Sequence, residues 1–179
     1  MKEIMSQYFD RFGKKWKEYN NTLPQIAWDE EVDPFIYLGE KDEYGYISWL
    51  PIEKETITNF KDFESNAGVV LHHSLKQYFN SFWFLELAGW IATYNINLHP
   101  VVPGIEPEKF LTGLIDYTET KGGIINYIPI GFEANGMLIV VDNNTGSVYI
   151  EDFETEEYEK ISTSVEDLIS QLRFRNEDQ

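Results

Sequence analysis

The chain has 179 residues, of which 42% are hydrophobic and 16% aromatic, and its 31 acids against 14 bases give a formal net charge of −17. This length and composition allow one sizeable core, so we expect a single domain over residues 1–179. The excess of acids argues against nucleic acid as a partner, because a phosphate-backbone binder needs clustered Lys and Arg. The lack of cysteine excludes disulfides, a thiolate zinc site and a cysteine nucleophile.

The first half of the chain predicts helices on either side of a strand hairpin. In the first twenty residues apolar side chains recur every three or four positions, which predicts one amphipathic helix. "PFIYLG" and "YGYISWLP" predict two strands joined as a hairpin, with Trp49 at the end of the second strand. The segment Thr58–Gln77 is weakly helical and is interrupted by Gly68, which predicts two short helices. "YFNSFWFLELAGWIATYNINLHPV" predicts two further strands with Gly89 in the turn.

The second half begins with a predicted helix in "GIEPEKFLTGLIDYTETKGG". Pro107 suits its first position, and Gly122-Gly123 provide the stop. Its predicted buried stripe consists of Phe110, Leu111, Leu114 and Ile115.

Three strands and a last helix follow. "INYIPIGF", "MLIVVD" and "SVYIEDF" predict the strands, and "NNTG" predicts a tight hairpin turn between the last two, with Val141 and Val148 near it. Ser164 is the predicted N-cap of the final helix, after which "RNEDQ" is expected to fray. Consecutive hairpins flanked by helices predict an α+β single domain with a largely antiparallel mixed sheet.

The charge is unevenly distributed along the chain. Residues 1–20 carry five bases against three acids, Asp29–Glu64 carry eleven acids against three lysines, and residues 151–160 carry six acids against Lys160. Such runs are compatible with solvated faces that keep a protein soluble, or with a surface that attracts a basic partner.

Motifs for metal binding are not supported by the sequence. "DNNTGS" is unlike an EF-hand loop, because Ser147 stands where the turn glycine is needed and Phe153 where the bidentate glutamate is needed. His72 and His73 are adjacent and expected to point apart on a helix, and His99 lies beside Pro100. We therefore predict no metal site and no cofactor.

Motifs for catalysis are equally unsupported. Ser74 next to His73 does not make a triad, and "KGGIIN" lacks the spacing and the Lys-Ser/Thr of a phosphate-binding loop. Paired carboxylates are too abundant to single out a glycosidase site. We predict no catalytic residue. The N-terminus has no apolar signal region and no stretch approaches 18 apolar residues, so we expect a cytoplasmic protein.

The order of several segments resembles the Syd family, named for interaction with the membrane translocon subunit SecY. The resemblance is carried by "YFDRFGKKWKEYNNTLP", "YISWLP", "LHHSLKQYFNSFWF", "LIVVDNNTGSVYIEDF" and "STSVEDLISQL". The last strands also resemble the wider SUKH superfamily, many of whose members are similar to immunity proteins that neutralise bacterial toxins. Both resemblances imply binding without catalysis.

What the resemblance implies is an α+β domain whose acidic, aromatic-lined concave face receives a basic protein segment. The expected partner-binding residues are Trp49, Tyr78, Phe82, Trp83, Glu151, Asp152 and Glu154, with plain core packing as the alternative for the aromatic residues. The three acids are expected to be exposed, so their neutralisation to Gln or Asn is expected to leave folding nearly unchanged.

Two partners remain open at this point. The first is the set of basic cytoplasmic loops of SecY, which would bring the protein to the cytoplasmic side of the membrane only through that partner. The second is a cognate toxin, with a basic nuclease as the expected type.

Overall fold

The first helix is the amphipathic element that the sequence predicts. In the computed structural model, which describes residues 1–174, α1 spans Lys2–Asn20 and buries Met5, Tyr8, Phe9 and Phe12. It ends where Asn21 adopts a left-handed conformation, and the N–H of Asn21 donates to the carbonyl of Lys17. The predicted fraying of residues 175–179 lies outside the described residues.

Two small sheets follow α1. Strands β1 (Gln25–Ala27), β2 (Tyr37–Leu38) and β3 (Tyr46–Trp49) form an antiparallel sheet in the order β1-β3-β2, which confirms the predicted hairpin. Strand β4 (Ile52–Glu53) pairs antiparallel with β5 (Phe82–Trp83). The connection between β4 and β5 contains both predicted short helices, α2 (Lys61–Ala67) and α3 (His73–Phe79), separated by Gly68 with φ +64°.

The main sheet has six strands in the order β11-β10-β9-β8-β7-β6. Their bounds are β6 Ala88–Ile91, β7 Tyr94–Leu98, β8 Tyr127–Glu133, β9 Leu138–Asp142, β10 Val148–Asp152 and β11 Glu157–Ser162. Each neighbouring pair is antiparallel, so the α+β class with a largely antiparallel sheet is confirmed. The predicted hairpin after "LIVVD" is also confirmed, since Val141 and Val148 pair beside its turn.

Helices at the end of the chain complete the core. Helix α4 (Glu108–Thr120) connects β7 to β8, and α5 (Val165–Gln171) follows β11. As predicted, the hydroxyl of Ser164 caps α5 by accepting the N–H of Asp167 at 3.0 Å. Helix α5 contacts both α1 and α3, so the first and last helices pack together around one core.

The structure differs from the sequence predictions in several elements. The turn between β6 and β7 is at Ala92, which has φ +48°, and not at Gly89. Gly89 instead lies in β6 under the C-terminal segment, because a Cβ there would meet the carbonyl oxygen of Arg173 at 3.0 Å. Strand β11 was not predicted, since its charged sequence "EYEKIS" lacks the usual apolar alternation. In α4, Ile115 is 47% exposed and Thr118 is buried in its place.

Candidate functional site

Three of the four aromatic residues expected at a binding surface are core residues. The exposed fractions of Trp49, Tyr78 and Phe82 are 0%, 1% and 7%. Alternation along β3 turns Trp49 inward together with Ile47, and the hydroxyl of Tyr78 donates to the backbone carbonyl of His99 at 2.7 Å. The expectation that these three residues are exposed for partner contact was therefore wrong.

Trp83 is the one half-buried member of that set. It pairs with Ile52 in the β4–β5 ladder, and its ring packs edge-on against the exposed Phe35, with ring centroids 6.3 Å apart. The ammonium of Lys54 lies 3.6 Å from the centroid of the Trp83 ring. Trp83 therefore connects the core to the exterior, and one of its faces is already covered by a cation.

Glu151 is buried, with no exposed surface, and is not a surface acid. It lies on the opposite face of β10 from Val148 and Ile150, where it pairs with Tyr158 of β11. Its Oε1 lies 2.7 Å from the Lys121 ammonium and accepts the Tyr158 hydroxyl at 3.0 Å, and its Oε2 accepts the Tyr117 hydroxyl at 2.6 Å.

We call Tyr117, Lys121, Glu151 and Tyr158 the Glu151 cluster. Within this cluster the ammonium of Lys121 compensates the negative charge of Glu151. The hydrogen bond to Glu151 raises the pKa of Lys121. Burial, followed by the hydrogen bond to Glu151, raises the pKa values of Tyr117 and Tyr158. The expectation that Glu151 is exposed was wrong, so we now expect its neutralisation to affect folding, because its carboxylate binds Tyr117 of α4 and Lys121 at the end of that helix.

Asp152 is the last residue of β10, and Glu154 lies in the turn that follows it. The Asp152 carboxylate accepts the backbone N–H groups of Glu154 and Thr155 at 3.0 and 3.2 Å, which lowers its pKa. The side chain of Glu154 is exposed. Of the acids predicted in this run, Glu154 is therefore free to face a partner, whereas Asp152 also maintains the turn.

An exposed acidic and aromatic surface occurs instead on the three-stranded sheet. We define this acidic hairpin surface by its acids and by its exposed aromatic side chains. The acids are Asp29, Glu30, Glu31, Asp33, Glu40, Asp42 and Glu43, and the aromatic residues are Trp28 (42% exposed), Phe35 (48%), Tyr44 (79%) and Tyr46 (48%).

Local contacts hold this surface together. The N–H of Trp28 donates to the carbonyl of Gly45 at 2.9 Å, and Ala27 pairs with Tyr46, so the end of β1 lies beside the β2–β3 turn. The Asp42 carboxylate accepts the N–H groups of Tyr44 and Tyr46 at 2.9 and 2.8 Å and fixes that turn. Sequence reasoning missed these aromatic residues, although the alternation in "YISW" signals that Tyr46 and Trp49 lie on opposite faces.

The acidic hairpin surface already binds one cation of its own chain. The ammonium of Lys41 lies 4.2 Å from the centroid of the exposed Trp28 ring. A ring face bordered by carboxylates attracts ammonium and guanidinium groups both through its quadrupole and through the surrounding charge. The arrangement is chemically suited to basic side chains.

The two acidic runs lie on different sheets. Residues 29–43 belong to the three-stranded sheet and its loops, whereas residues 151–160 form the end of β10, the following turn and most of the edge strand β11. Sequence proximity alone therefore did not indicate which acids share a surface with exposed aromatic side chains.

The histidines are arranged differently from the expectation. His72 and His73 do not point apart, because His72 is the N-cap of α3 with ψ 139°, and the two ring centroids are 4.2 Å apart. His72 Nδ1 lies 2.8 Å from the hydroxyl of the buried Ser74, and His99 Nε2 lies 2.7 Å from Glu106 Oε1. Within residues 1–174, no group of three or more His, Asp or Glu side chains is placed to hold a metal ion.

Comparison with known proteins places this fold in a family. In the described part of the chain, no helix has the length and apolar composition required to cross a membrane. Residues 2–101, which include the acidic hairpin surface, match the family described as Syd protein (SUKH-2).

Two relatives extend the similarity over most of the chain. The Protein Syd of Idiomarina loihiensis is 25% identical over 167 residues, covering 91% of this chain and 90% of the relative. The Protein Syd of Colwellia psychrerythraea is 24% identical over 186 residues, covering 98% and 89% respectively. The family match covers more than half of the residues of this chain, so the chain belongs to the Syd family.

Proposed function

We propose that this protein is a non-enzymatic binding module whose acidic hairpin surface docks on the basic cytoplasmic loops of SecY. The observation that carries the proposal is the coincidence of exposed carboxylates with exposed aromatic rings in a member of the Syd family. In this proposal the protein is cytoplasmic and reaches the membrane surface through its protein partner. Nucleic acid, metal ions and cofactors have no part in it.

The two components of the surface have different tasks. The carboxylates attract a basic segment over a distance set by salt, about 8 Å at physiological ionic strength. The aromatic rings of Trp28, Tyr44 and Tyr46 then contact the arginine or lysine stems and any apolar neighbours at short range. Trp83 remains in the proposal as an outer contact, because it packs against Phe35 of this surface. Asp152 and Glu154 remain as candidate contacts on the other sheet, whereas Trp49, Tyr78, Phe82 and Glu151 are buried and are no longer proposed as contacts.

The variants that test the proposal use acids without a turn-forming role. The carboxylates of Asp29 and Asp42 accept backbone N–H groups and should be left intact. The side chains of Glu30, Glu40 and Glu43 are exposed. The triple variant Glu30→Gln, Glu40→Gln, Glu43→Gln therefore removes three charges from the surface with little expected effect on folding.

The control removes the same charge elsewhere. Asp10→Asn, Asp116→Asn and Glu119→Gln alter three exposed acids on α1 and α4. Binding to purified SecY and to peptides of its cytoplasmic loops is measured by surface plasmon resonance at 50 and 500 mM salt. We expect the hairpin variant to lower the association rate by about fivefold or more at low salt and the control to lower it less. Equal effects of the two triple variants would refute the proposed site.

A toxin partner is the second candidate, supported by the SUKH-2 description of the matched family. In that case the same surface covers a basic toxin, with a nuclease as the expected type. The alternative predicts that SecY is not bound and that the protein binds and inhibits a toxin encoded by a neighbouring gene. Inhibition assayed with the two triple variants then tests the surface independently of SecY.

A further inference from the structure

A cleft of about 460 Å³ opens where the start of α1, the segment after β4 and helix α3 meet. Three lysines line it, Lys2, Lys54 and Lys76, whereas Glu55 is the one acid among its described lining residues. In a chain with 31 acids and 14 bases, this cleft reverses the overall charge pattern. Its volume lies within the range of small-molecule sites.

Lys54 is a buried cation of this cleft, with an exposed fraction of 3%. Its ammonium donates to the carbonyl of Phe79 at 2.9 Å and to the hydroxyl of Thr58 at 3.3 Å, and it lies over the ring of Trp83. These contacts satisfy its protons, but none of them brings a negative charge. Burial lowers the pKa of Lys54 to about 8, with the charge of Glu108 acting in the opposite direction. The cleft wall therefore has a fixed positive charge that lacks a contacting carboxylate.

Lys2 and Lys76 can supply the direct donors. The ammonium of Lys2 lies 2.8 Å from Glu53, and both side chains are about half exposed, at 49% and 59%. The ammonium of Lys76 lies 2.8 Å from Glu64, and the side chain of Lys76 is 32% exposed. The Lys2–Glu53 ion pair is accessible to water and contributes little stability, so Lys2 can exchange this partner for a ligand at small cost. The side chain of Glu64 is only 14% exposed, so Lys76 keeps this partner and can donate its remaining protons to a ligand.

We propose that this cleft binds a small organic anion that carries carboxylate groups. The ammonium groups of Lys2 and Lys76 bind the carboxylates directly, and Lys54 adds a fixed charge from the wall. Ile57 lines the cleft, and 83% of its surface is exposed. Its apolar side chain is therefore available to contact the carbon chain of the ligand. This apolar contact selects an organic anion over an inorganic one. The site is distinct from the acidic hairpin surface and does not depend on the proposed protein partner.

The test is an NMR titration of the isotope-labelled full chain at pH 7 and low ionic strength. The probe is glutarate, and its neutral match is glutaramide, which has the same carbon chain without the charges. We expect glutarate to shift the amide signals of Asn80 and Ser81, which line the cleft, and glutaramide to leave them in place. Lys76→Gln should weaken glutarate binding about tenfold or more, because it removes a charge-assisted hydrogen bond.

Two further variants keep the test decisive. Lys17→Gln removes an exposed charge from α1 outside the cleft and should leave glutarate binding unchanged. Lys54→Met removes the buried charge at similar side-chain length, and its folding is checked by circular dichroism. It should weaken glutarate binding as Lys76→Gln does. Equal responses to glutarate and glutaramide, or equal affinities of the Lys76 and Lys17 variants, would overturn the site. Inorganic phosphate that binds as tightly as glutarate would overturn the assignment to an organic anion.

Discussion

Replacement of Glu151 by glutamine tests whether the Glu151 cluster is a structural element. Glutamine keeps the shape of the side chain but removes its charge and replaces one acceptor oxygen with a donor group. Because Lys121 and two tyrosine hydroxyls all donate to this carboxylate, the new amide group faces donors with its own hydrogens. At least one donor loses its acceptor at a side-chain position that has no exposed surface.

The expected loss follows from the burial of each partner. Breaking a fully buried ion pair by removing one member costs about 3–5 kcal/mol. Lys121 keeps 15% of its side chain exposed and lies 3.4 Å from Glu156, so part of its charge remains compensated after the substitution. We therefore expect Glu151→Gln to lower the free energy of unfolding by about 2–3 kcal/mol, which corresponds to one lost charge-assisted hydrogen bond.

The assay is urea denaturation at pH 7, with Glu154→Gln as the matched control. The control removes the same charge three residues away from an exposed position and should change stability by less than about 0.5 kcal/mol. Combining Glu151→Gln with Lys121→Met in a double-mutant cycle should give a coupling of about 1 kcal/mol or more. A stability change for Glu151→Gln as small as that of the control would show that the cluster does not hold α4 to the sheet.

Three further predictions concern a turn and two titrating groups. Gly146→Ala should destabilise the protein by about 1–3 kcal/mol more than Gly136→Ala in urea denaturation, because both positions have positive φ but only a Cβ at 146 meets the ring of His72. The pKa of Lys54 is about 8 in the folded protein and near 10.5 in the unfolded chain, so unfolding binds protons between these pH values. The free energy of unfolding should therefore rise with pH from 8 to 10.5, and urea denaturation at several pH values should show that Lys54→Met removes this rise. The pKa of Asp167 is lowered, chiefly by the hydrogen bond from the hydroxyl of Ser162. Its contribution to the free energy of unfolding is therefore present above pH 3.8 and lost as the pH falls through the folded pKa. Asp167→Asn should reduce the loss of stability at acid pH in the same denaturation experiments.

Much of the fold could be predicted from local patterns, because those patterns agree with the tertiary contacts. The spacing of apolar residues in α1, the cap at Ser164 and the "NNTG" turn each specify their element through nearby residues. Gly89 shows the limit of this reasoning. Its function is to let Leu172 and Arg173 approach β6, which depends on a contact more than eighty residues away in sequence.

The candidate site was less predictable, because exposure depends on which face of an element is covered. Trp49 and Tyr46 lie in the same short strand on opposite faces. Trp49 is buried and Tyr46 is half exposed because the core residues cover the face on which Trp49 lies. Glu151 belongs to a strongly acidic run, yet Tyr117 of α4, Lys121 at the end of that helix and Tyr158 of β11 bind its carboxylate. Composition indicated that an acidic surface exists, whereas its location required the packing of distant elements.

Charge compensation explains why the acidic hairpin surface is the better candidate for docking. A partner responds to the field outside the protein, and a carboxylate paired with a lysine contributes little to that field. Glu151 is neutralised by Lys121 within the protein, and the ammonium of Lys121 also lies 3.4 Å from Glu156. On the acidic hairpin surface, Lys41 is the one base between positions 28 and 46, and its ammonium lies over the ring of Trp28. Seven carboxylates there outnumber a single ammonium, so their field extends into the solvent that a basic segment must cross.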